Sequence, residues 1–186
     1  MNNAVGGLAG VAAAGPVPRK LNVGCGTDYR EGFINIDGSN VLSKVDAVID
    51  IGKASLLDHF GAGEVDFILA NDIIEHHFRW EALAILRDFF TLLAPGGSIE
   101  IRVPDAKFII GSWRMPIEKK IVLLYGGQDI PQGNAEMDES RKKFPGYFCH
   151  KYGWTMQSMK KELEGIGFKN VNAQRQGTNF VSRATK

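Results

Sequence analysis

Glycine and acidic residues stand at the ends of short apolar runs in this sequence. Gly24 and Gly26 flank Cys25 at the end of the first run, residues 20–24. Glycine has no Cβ, so the chain can turn tightly here and a ligand can approach the backbone. Asp37 ends the next run, eleven positions after Gly26. A carboxylate at this place can accept hydrogen bonds from both hydroxyls of a ribose.

The third run also ends on an acid, Asp50, and Ile51 follows it. The Asp50 side chain and the backbone of Ile51 are placed to meet the edge of an adenine. The dinucleotide fingerprint G-x-G-x-x-G needs a third glycine, and Tyr29 stands in its position. Pyrophosphate binding is therefore disfavoured, although a nucleotide-dependent oxidoreductase is kept as an alternative interpretation.

Strands and helices must alternate to position these residues. Apolar runs predict strands at residues 20–24, 33–37, 46–50, 65–70 and 98–103, with two later strands near 168–174 and 179–184. Helical spacing predicts helices at residues 78–93, 116–125 and 155–166. Continuous apolar runs are typical of parallel strands that are buried on both faces. The pattern predicts an open α/β sheet with its ligand site beyond the carboxyl ends of the strands.

In their order and spacing, these motifs resemble the class I S-adenosylmethionine-dependent methyltransferases. The resemblance covers about residues 20–105, and more weakly the rest of the chain. It rests on residues 22–26, Asp37, Asp50, residues 71–76 and residues 93–97. It implies a Rossmann-like, doubly wound sheet of seven mostly parallel strands in the order 3-2-1-4-5-7-6, with the last strand antiparallel. It also implies S-adenosyl-L-methionine (SAM) as cofactor.

The resemblance further implies which residues contact SAM. Gly24, Cys25 and Gly26 would line its methionine part, Asp37 and Gly38 its ribose, Asp50 and Ile51 its adenine, and Asn71 the amino end of its methionine.

The connection between the first two strands is shorter than in most members of this family. Residues 27–32 are too few for the usual helix. In this respect the chain is similar to small methyltransferases of glycan or surface-polysaccharide biosynthesis. We therefore expect transfer of a methyl group to an O or N atom of a small-molecule or glycan-type acceptor. The alternative is a non-catalytic, methyltransferase-like binding module or partner subunit.

A hydroxyl or ammonium acceptor must lose a proton on methylation, and histidine is suited to take it because its pKa lies near neutrality. His150 lies in an aromatic and basic stretch on the expected acceptor side, and it is the first candidate. His76 follows the fourth strand and is the second. For both residues the alternative is a purely structural role. We expect His77 to point away from the site if His76 points into it, because neighbouring residues on a helix diverge.

No local spacing indicates a metal site. The sequence contains no H-x-x-x-H or C-x-x-C motif. Cys25 is interpreted as a small residue of the glycine turn rather than a nucleophile, since no activating base stands beside it in the sequence. The sequence therefore predicts neither a metal nor a thiol mechanism.

The length of 186 residues suits one domain. Residues 1–18 are rich in Ala, Gly and Val and are interpreted as a flexible arm. A signal peptide is disfavoured because the first cation, Arg19, follows this stretch instead of preceding it. Residues 19–186 form the predicted methyltransferase domain. Within it, residues 126–154 are expected to be a substrate-side loop or lid, because residues 126–145 lack a helical period.

The composition excludes several classes of protein. The net charge of +1 does not indicate a polyanion-binding protein, and no apolar run is long enough to cross a membrane. Two cysteines cannot form a disulfide framework, so we expect a cytoplasmic location.

Charge is unevenly distributed along the chain. Residues 141–186 carry 10 Lys or Arg against 2 Asp or Glu. One interpretation is that these cations bind an anionic acceptor such as a nucleotide sugar or a lipid-linked phosphate. The alternative is that they only form a basic surface exposed to solvent. The aromatic residues near it are expected to form the small core of the lid. We do not expect a nucleic-acid partner, and the oligomeric state is left open.

Overall fold

The computed structural model describes residues 19–186, so the predicted arm at residues 1–18 lies outside the described residues. Seven strands form one sheet in the order β3-β2-β1-β4-β5-β7-β6. β7 pairs antiparallel with β5 and β6, and the other pairings are parallel. This topology confirms the predicted doubly wound, Rossmann-like fold. The strands are β1 Lys20–Val23, β2 Ile34–Asp37, β3 Ala47–Val48, β4 Val65–Asn71, β5 Leu93–Pro104, β6 Lys169–Gln176 and β7 Asn179–Thr185.

Five α-helices accompany the sheet in the described part of the chain. They are α1 Arg79–Leu92, α2 Ala106–Gly111, α3 Ile117–Tyr125, α4 Ala135–Lys143 and α5 Met156–Ile166. Three short 3-10 helices span Leu56–Asp58, Ile74–His76 and Pro145–Phe148. The predictions for α1, α3 and α5 are confirmed. Thr155 caps α5, because its side chain accepts a hydrogen bond from the Ser158 amide.

The sequence did not predict α2 or α4. The long segment that we expected to lack regular structure contains α4, which buries only Ser140 and so has no apolar stripe to reveal it. Residues at the two ends of α4 stabilise the helix instead. The Asn134 side chain caps the first turn, and three cations occupy the last turn.

The hydrophobic core lies on both faces of the central strands. Leu21 of β1, Ile68 of β4 and Ile101 of β5 are fully buried. α1 covers the sheet with side chains that include Leu86 and Phe89, also fully buried. Each such side chain contributes roughly 1.5–3 kcal/mol. Among residues 19–186, no helix combines the length and the hydrophobicity that crossing a bilayer requires.

The short connection from β1 to β2 contains no helix, as predicted, and buried asparagine side chains hold it instead. The Asn35 amide donates to the carbonyls of Arg30 (3.0 Å) and Phe33 (3.1 Å). Its oxygen accepts from the Arg30 amide (2.9 Å) and from the Asn22 side chain (3.0 Å). Asn22 also donates to the carbonyl of Asp28 (2.7 Å). These bonds satisfy backbone groups that a helix would otherwise pair.

We expect Asn35→Ala to lower the free energy of unfolding by at least about 2 kcal/mol, because it leaves the partly buried backbone groups of Arg30 and Phe33 and the buried side chain of Asn22 without this partner. Urea denaturation followed by circular dichroism measures the change. Asn172→Ala, on the exposed face of edge strand β6, is the control and should change stability by no more than about 0.5 kcal/mol. Equal effects of the two substitutions would contradict a supporting role for the Asn35 amide.

Candidate functional site

A cavity of about 630 Å³ opens beyond the carboxyl ends of β1, β2 and β4. Volumes of this order accommodate ligands the size of a nucleoside derivative. Its walls come from the glycine turn after β1, the acids after β2 and β3, the segment after β4, and parts of residues 126–154. Residues far apart in the sequence therefore share one cavity.

The glycine turn packs tightly on the segment that follows β4. Gly24 has a φ of +68°, and a Cβ there would lie 2.7 Å from the side chain of Ile73. Gly26 borders the cavity, and a Cβ at that position would meet nothing closer than Met137, at 3.8 Å. Gly24 is therefore required by its neighbours, whereas Gly26 keeps an edge of the cavity open to a ligand.

Asp37 is anchored to the same turn. One of its carboxylate oxygens accepts from the Gly26 amide (2.9 Å) and the other from the Ser39 amide (2.8 Å). Burial raises the pKa of Asp37, and the hydrogen bonds from these amides oppose that rise without cancelling it. The carboxylate is thus held in a defined orientation at the cavity wall.

Asp50 connects the far wall of the cavity to the predicted lid. The Tyr147 hydroxyl donates to its carboxylate at 2.6 Å, and the Lys53 ammonium lies 2.7 Å away. Burial alone would raise the pKa of Asp50, but hydrogen bonds from Lys53 and Tyr147 outweigh burial and lower it. Tyr147 also closes over Gly38, where a Cβ would meet its hydroxyl at 3.0 Å. One tyrosine therefore spans the wall formed by the ends of β2 and β3.

Six of the eight residues predicted to contact the cofactor line this cavity: Gly24, Gly26, Asp37, Gly38, Asp50 and Ile51. Cys25 is buried below the turn, and Asn71 is not part of the lining. Asp72 lines the cavity in place of Asn71. The chain turns at Asp72 with a φ of +53°, and the Asn179 side chain donates to its carboxylate at 3.0 Å. The apolar pattern of the fourth strand did not indicate that the chain turns at Asp72.

Both predicted catalytic histidines also border the cavity, and their rings lie edge to face with centroids 4.7 Å apart. Burial lowers the pKa of His76 to about 3, and the neighbouring His150 adds to the shift. The pKa of His150 is lowered as well, chiefly by burial. Both imidazoles are therefore uncharged near neutral pH.

Backbone hydrogen bonds bring these two histidines together across the chain. The carbonyl of Glu75 accepts from the amides of Lys151 (2.8 Å) and Tyr152 (3.3 Å). The His150 amide donates to the carbonyl of Tyr125 at 3.0 Å. Gly126 permits this close crossing, because a Cβ there would lie 2.2 Å from the carbonyl oxygen of Phe148.

His77 also borders the cavity, contrary to the expectation that it would point away from His76. The 3-10 helix ends at His76, and His77 has extended backbone angles (φ −111°, ψ 147°). The divergence of neighbouring residues on a helix therefore does not apply to this pair.

The basic residues at the end of α4 lie off the cavity lining. The Lys143 ammonium donates to the Asn40 side chain at 2.9 Å, and Lys142 lies 3.9 Å from Glu139. The lysines that do border the cavity are Lys53 and Lys151. The aromatic residues nearby pair with one another but do not form a separate lid core, because Trp154 and Tyr152 join the main hydrophobic core while Phe144 and Tyr147 are only partly buried. Phe144 stacks on Tyr147, and Tyr152 meets Trp154 edge to face.

Comparison with known proteins relates this arrangement to one family. The sequence profile of a family described as a methyltransferase domain matches residues 9–173. No curated protein matches the sequence significantly.

Solved structures share the fold. The chain is similar to a SAM-dependent methyltransferase from Archaeoglobus fulgidus (14% identity, TM-score 0.59), with 91% of this chain and 86% of that chain covered. A SAM-dependent methyltransferase from Mesorhizobium loti aligns with 13% identity and a TM-score of 0.59, covering 90% of each chain. Another similar structure is that of 1,6-didemethyltoxoflavin-N1-methyltransferase from Burkholderia thailandensis with bound 1,6-didemethyltoxoflavin and S-adenosylhomocysteine. It has 17% identity and a TM-score of 0.57, over 91% of this chain and 71% of that one.

The structure predicts that Cys25 is unreactive. Burial, with a smaller contribution from Asp37, raises the pKa of its thiol to about 12. At pH 8 only about one molecule in 10⁴ then carries the thiolate that reacts with iodoacetamide. In the folded protein we expect Cys149, which is partly exposed, to be alkylated at least about 100-fold faster. Peptide mass spectrometry measures both rates, and unfolding in urea should equalise them. Comparable rates in the folded protein would contradict this assignment.

Proposed function

The chain belongs to this methyltransferase-domain family and is a SAM-dependent methyltransferase; we propose that the cavity at its strand ends binds SAM beside a small-molecule or glycan-type acceptor. In this proposal the acceptor receives the methyl group on an O or N atom. The observation that carries it is one cavity whose lining includes the glycine turn, the two acids, His76 and His150. We call the part lined by the turn and the acids the cofactor end, and the part lined by His76 and His150 the acceptor end.

The residues of the cavity suit the parts of SAM. Asp37 is oriented by two backbone amides, and its carboxylate can accept hydrogen bonds from ribose hydroxyls. Gly26 leaves room for a ligand next to the backbone. Asp50 and Ile51 lie on the wall that we assign to adenine. We propose that these residues, together with Gly24 and Gly38, form the cofactor site.

When bound, SAM supplies a methyl group on a positively charged sulfur, which is already a good leaving group. The task of the protein is to align the acceptor and to exclude water. Tyr147 and Phe148 of the lid border the cavity and reduce its access to solvent. We therefore assign residues 126–154 to closing the acceptor side.

His150 and His76 are the proposed catalytic residues at the acceptor end. His76 Nδ1 lies 3.2 Å from the carbonyl oxygen of Cys149, and His150 Nδ1 lies 3.1 Å from that of Leu123. A carbonyl can only accept, so each Nδ1 carries the proton and each Nε2 keeps its lone pair. An uncharged imidazole with a free lone pair can take a proton from a hydroxyl or amine acceptor. Because the pKa of His76 is lowered to about 3, we assign this proton transfer to His150 and a contact with the acceptor to His76.

An acceptor with negative charge is favoured by Lys151. Its side chain is exposed at the cavity and forms no salt bridge within residues 19–186. Its ammonium lies 5.2 Å from the centroid of the Phe78 ring. Lys53, the other cation of the lining, is paired with Asp50. We therefore propose that Lys151, and not the cations at the end of α4, contacts an anionic acceptor.

Asp37→Asn should weaken binding of SAM and of its demethylated product, S-adenosylhomocysteine, at least tenfold, about 1.4 kcal/mol. The substitution removes the charge that favours hydrogen bonds from ribose hydroxyls. Isothermal titration calorimetry measures the affinity. Asp58→Asn is the matched control, since this exposed acid lies outside the cavity lining and should leave binding unchanged. Native affinity in Asp37→Asn would show that the cofactor site is wrongly placed.

The acceptor class can be tested with tritium-labelled SAM and a panel of nucleotide sugars and neutral sugars. We expect label to enter a nucleotide sugar, and Lys151→Ala to raise the KM for that acceptor about tenfold through loss of one charge contact. Lys142→Ala, in α4, is the matched control and should leave this KM unchanged. Transfer to neutral sugars alone, or equal effects of the two substitutions, would rule out an anionic acceptor at Lys151.

A further inference from the structure

Glu75 is a buried acid without a partner. Its side chain is 2% exposed, and neither carboxylate oxygen has a hydrogen-bond partner within residues 19–186. An isolated buried carboxylate is costly, so such groups are normally hydrogen-bonded, paired or bound to a metal. Arg102 is the cation whose charge acts on Glu75, but its guanidinium forms hydrogen bonds with Asp72 instead. The Glu75 carboxylate is therefore free to pair with a ligand from outside the protein.

Two imidazoles lie beside this carboxylate. One ligand atom from each of Glu75, His76 and His150 lies within 4.8 Å of the other two. Two imidazole nitrogens and one carboxylate oxygen are a donor set that suits divalent first-row transition metals such as zinc or cobalt. Mg²⁺ and Ca²⁺ prefer sites made of oxygen atoms alone.

Both imidazoles are oriented as metal ligands usually are. In metal sites the second ring nitrogen of a histidine typically donates to a carbonyl or carboxylate, which fixes the tautomer. Here the Nδ1 atoms of His76 and His150 are held by the carbonyls of Cys149 and Leu123. Each Nε2 is left unprotonated, as metal binding requires.

A small void adjoins two of the three side chains. Its volume is about 10 Å³, about what one water molecule needs, and its lining includes Glu75 and His150 but not His76. His76 borders the large cavity, whose lining lacks Glu75. Because His150 belongs to both linings, an ion between the three donors would lie where the void meets the large cavity.

We propose that Glu75, His76 and His150 bind one divalent transition-metal ion whose remaining coordination positions face the cavity. The expectation of no metal rested on local spacing, which cannot show that His150 lies beside Glu75 and His76. The role of the ion rests on the proposed function. An oxygen atom of the acceptor would take an open position, and His76 and His150 would then act on the acceptor through the metal.

Co²⁺ is the probe for the test, because its visible absorption reports its ligands. The full chain is freed of metal with a chelator and titrated. We expect one equivalent of Co²⁺ to bind and to raise the melting temperature. Glu75→Gln and His150→Ala should each weaken binding by at least about 100-fold, since each removes a direct ligand rather than an outer partner. His59→Ala, an exposed histidine outside the cavity, should bind as the native protein does.

Absence of Co²⁺ binding, or native affinity in both ligand variants, would overturn the proposal. Circular dichroism checks that each variant folds, and if Glu75→Gln does not, His150→Ala decides the question. Calorimetry with S-adenosylhomocysteine on the metal-free protein separates the two hypotheses. Binding of this nucleoside without Co²⁺ binding refutes the metal site and leaves the proposed function standing. Co²⁺ binding without nucleoside binding refutes the cofactor site and leaves the metal site.

Discussion

The side-chain amide of Asn35 is the interaction that holds the connection between β1 and β2, next to the proposed cofactor end. No helix connects β1 and β2, so the backbone of this connection is not paired within a helix. Here the amide pairs the backbone of the connection instead, at Arg30 and Phe33. The glycine turn meets the end of β2 directly, because the amides of Gly24 and Cys25 both donate to the carbonyl of Ile36 (2.8 and 3.0 Å). Gly26 and Asp37 are then one hydrogen bond apart.

The two ends of the cavity have different physical origins. The cofactor end is built from residues that follow neighbouring parallel strands, so the sheet itself brings them together. The acceptor end is formed largely by residues 126–154, which cross over the carboxyl ends of the strands. The carbonyl of Glu75 and that of Tyr125 anchor this crossing. Tyr147 then bridges the two ends through its hydrogen bond to Asp50.

Burial gives the acceptor end its chemical character. His76 and His150 are kept uncharged because the surrounding protein disfavours the charged imidazole. The same burial raises the pKa of Glu75 well above its usual range. Burying the side chains of Glu75, His76 and His150 without hydrogen bonds between them lowers the stability of the fold. Binding of a cation to them would increase the free energy of unfolding.

Local patterns in the sequence were sufficient for the strand positions, for three of the helices and for the glycine turn with Asp37, because continuous apolar runs and turn residues act over a few positions. The order of the strands in the sheet was implied by the resemblance to a known family. They were insufficient for α4, whose polar surface has no apolar period, and for His77, whose orientation depends on where a 3-10 helix ends. The meeting of Glu75 and His76 with His150 was decided by tertiary structure alone. His150 lies more than 70 positions after Glu75 and His76, and the backbone hydrogen bonds of the crossing segment bring it beside them.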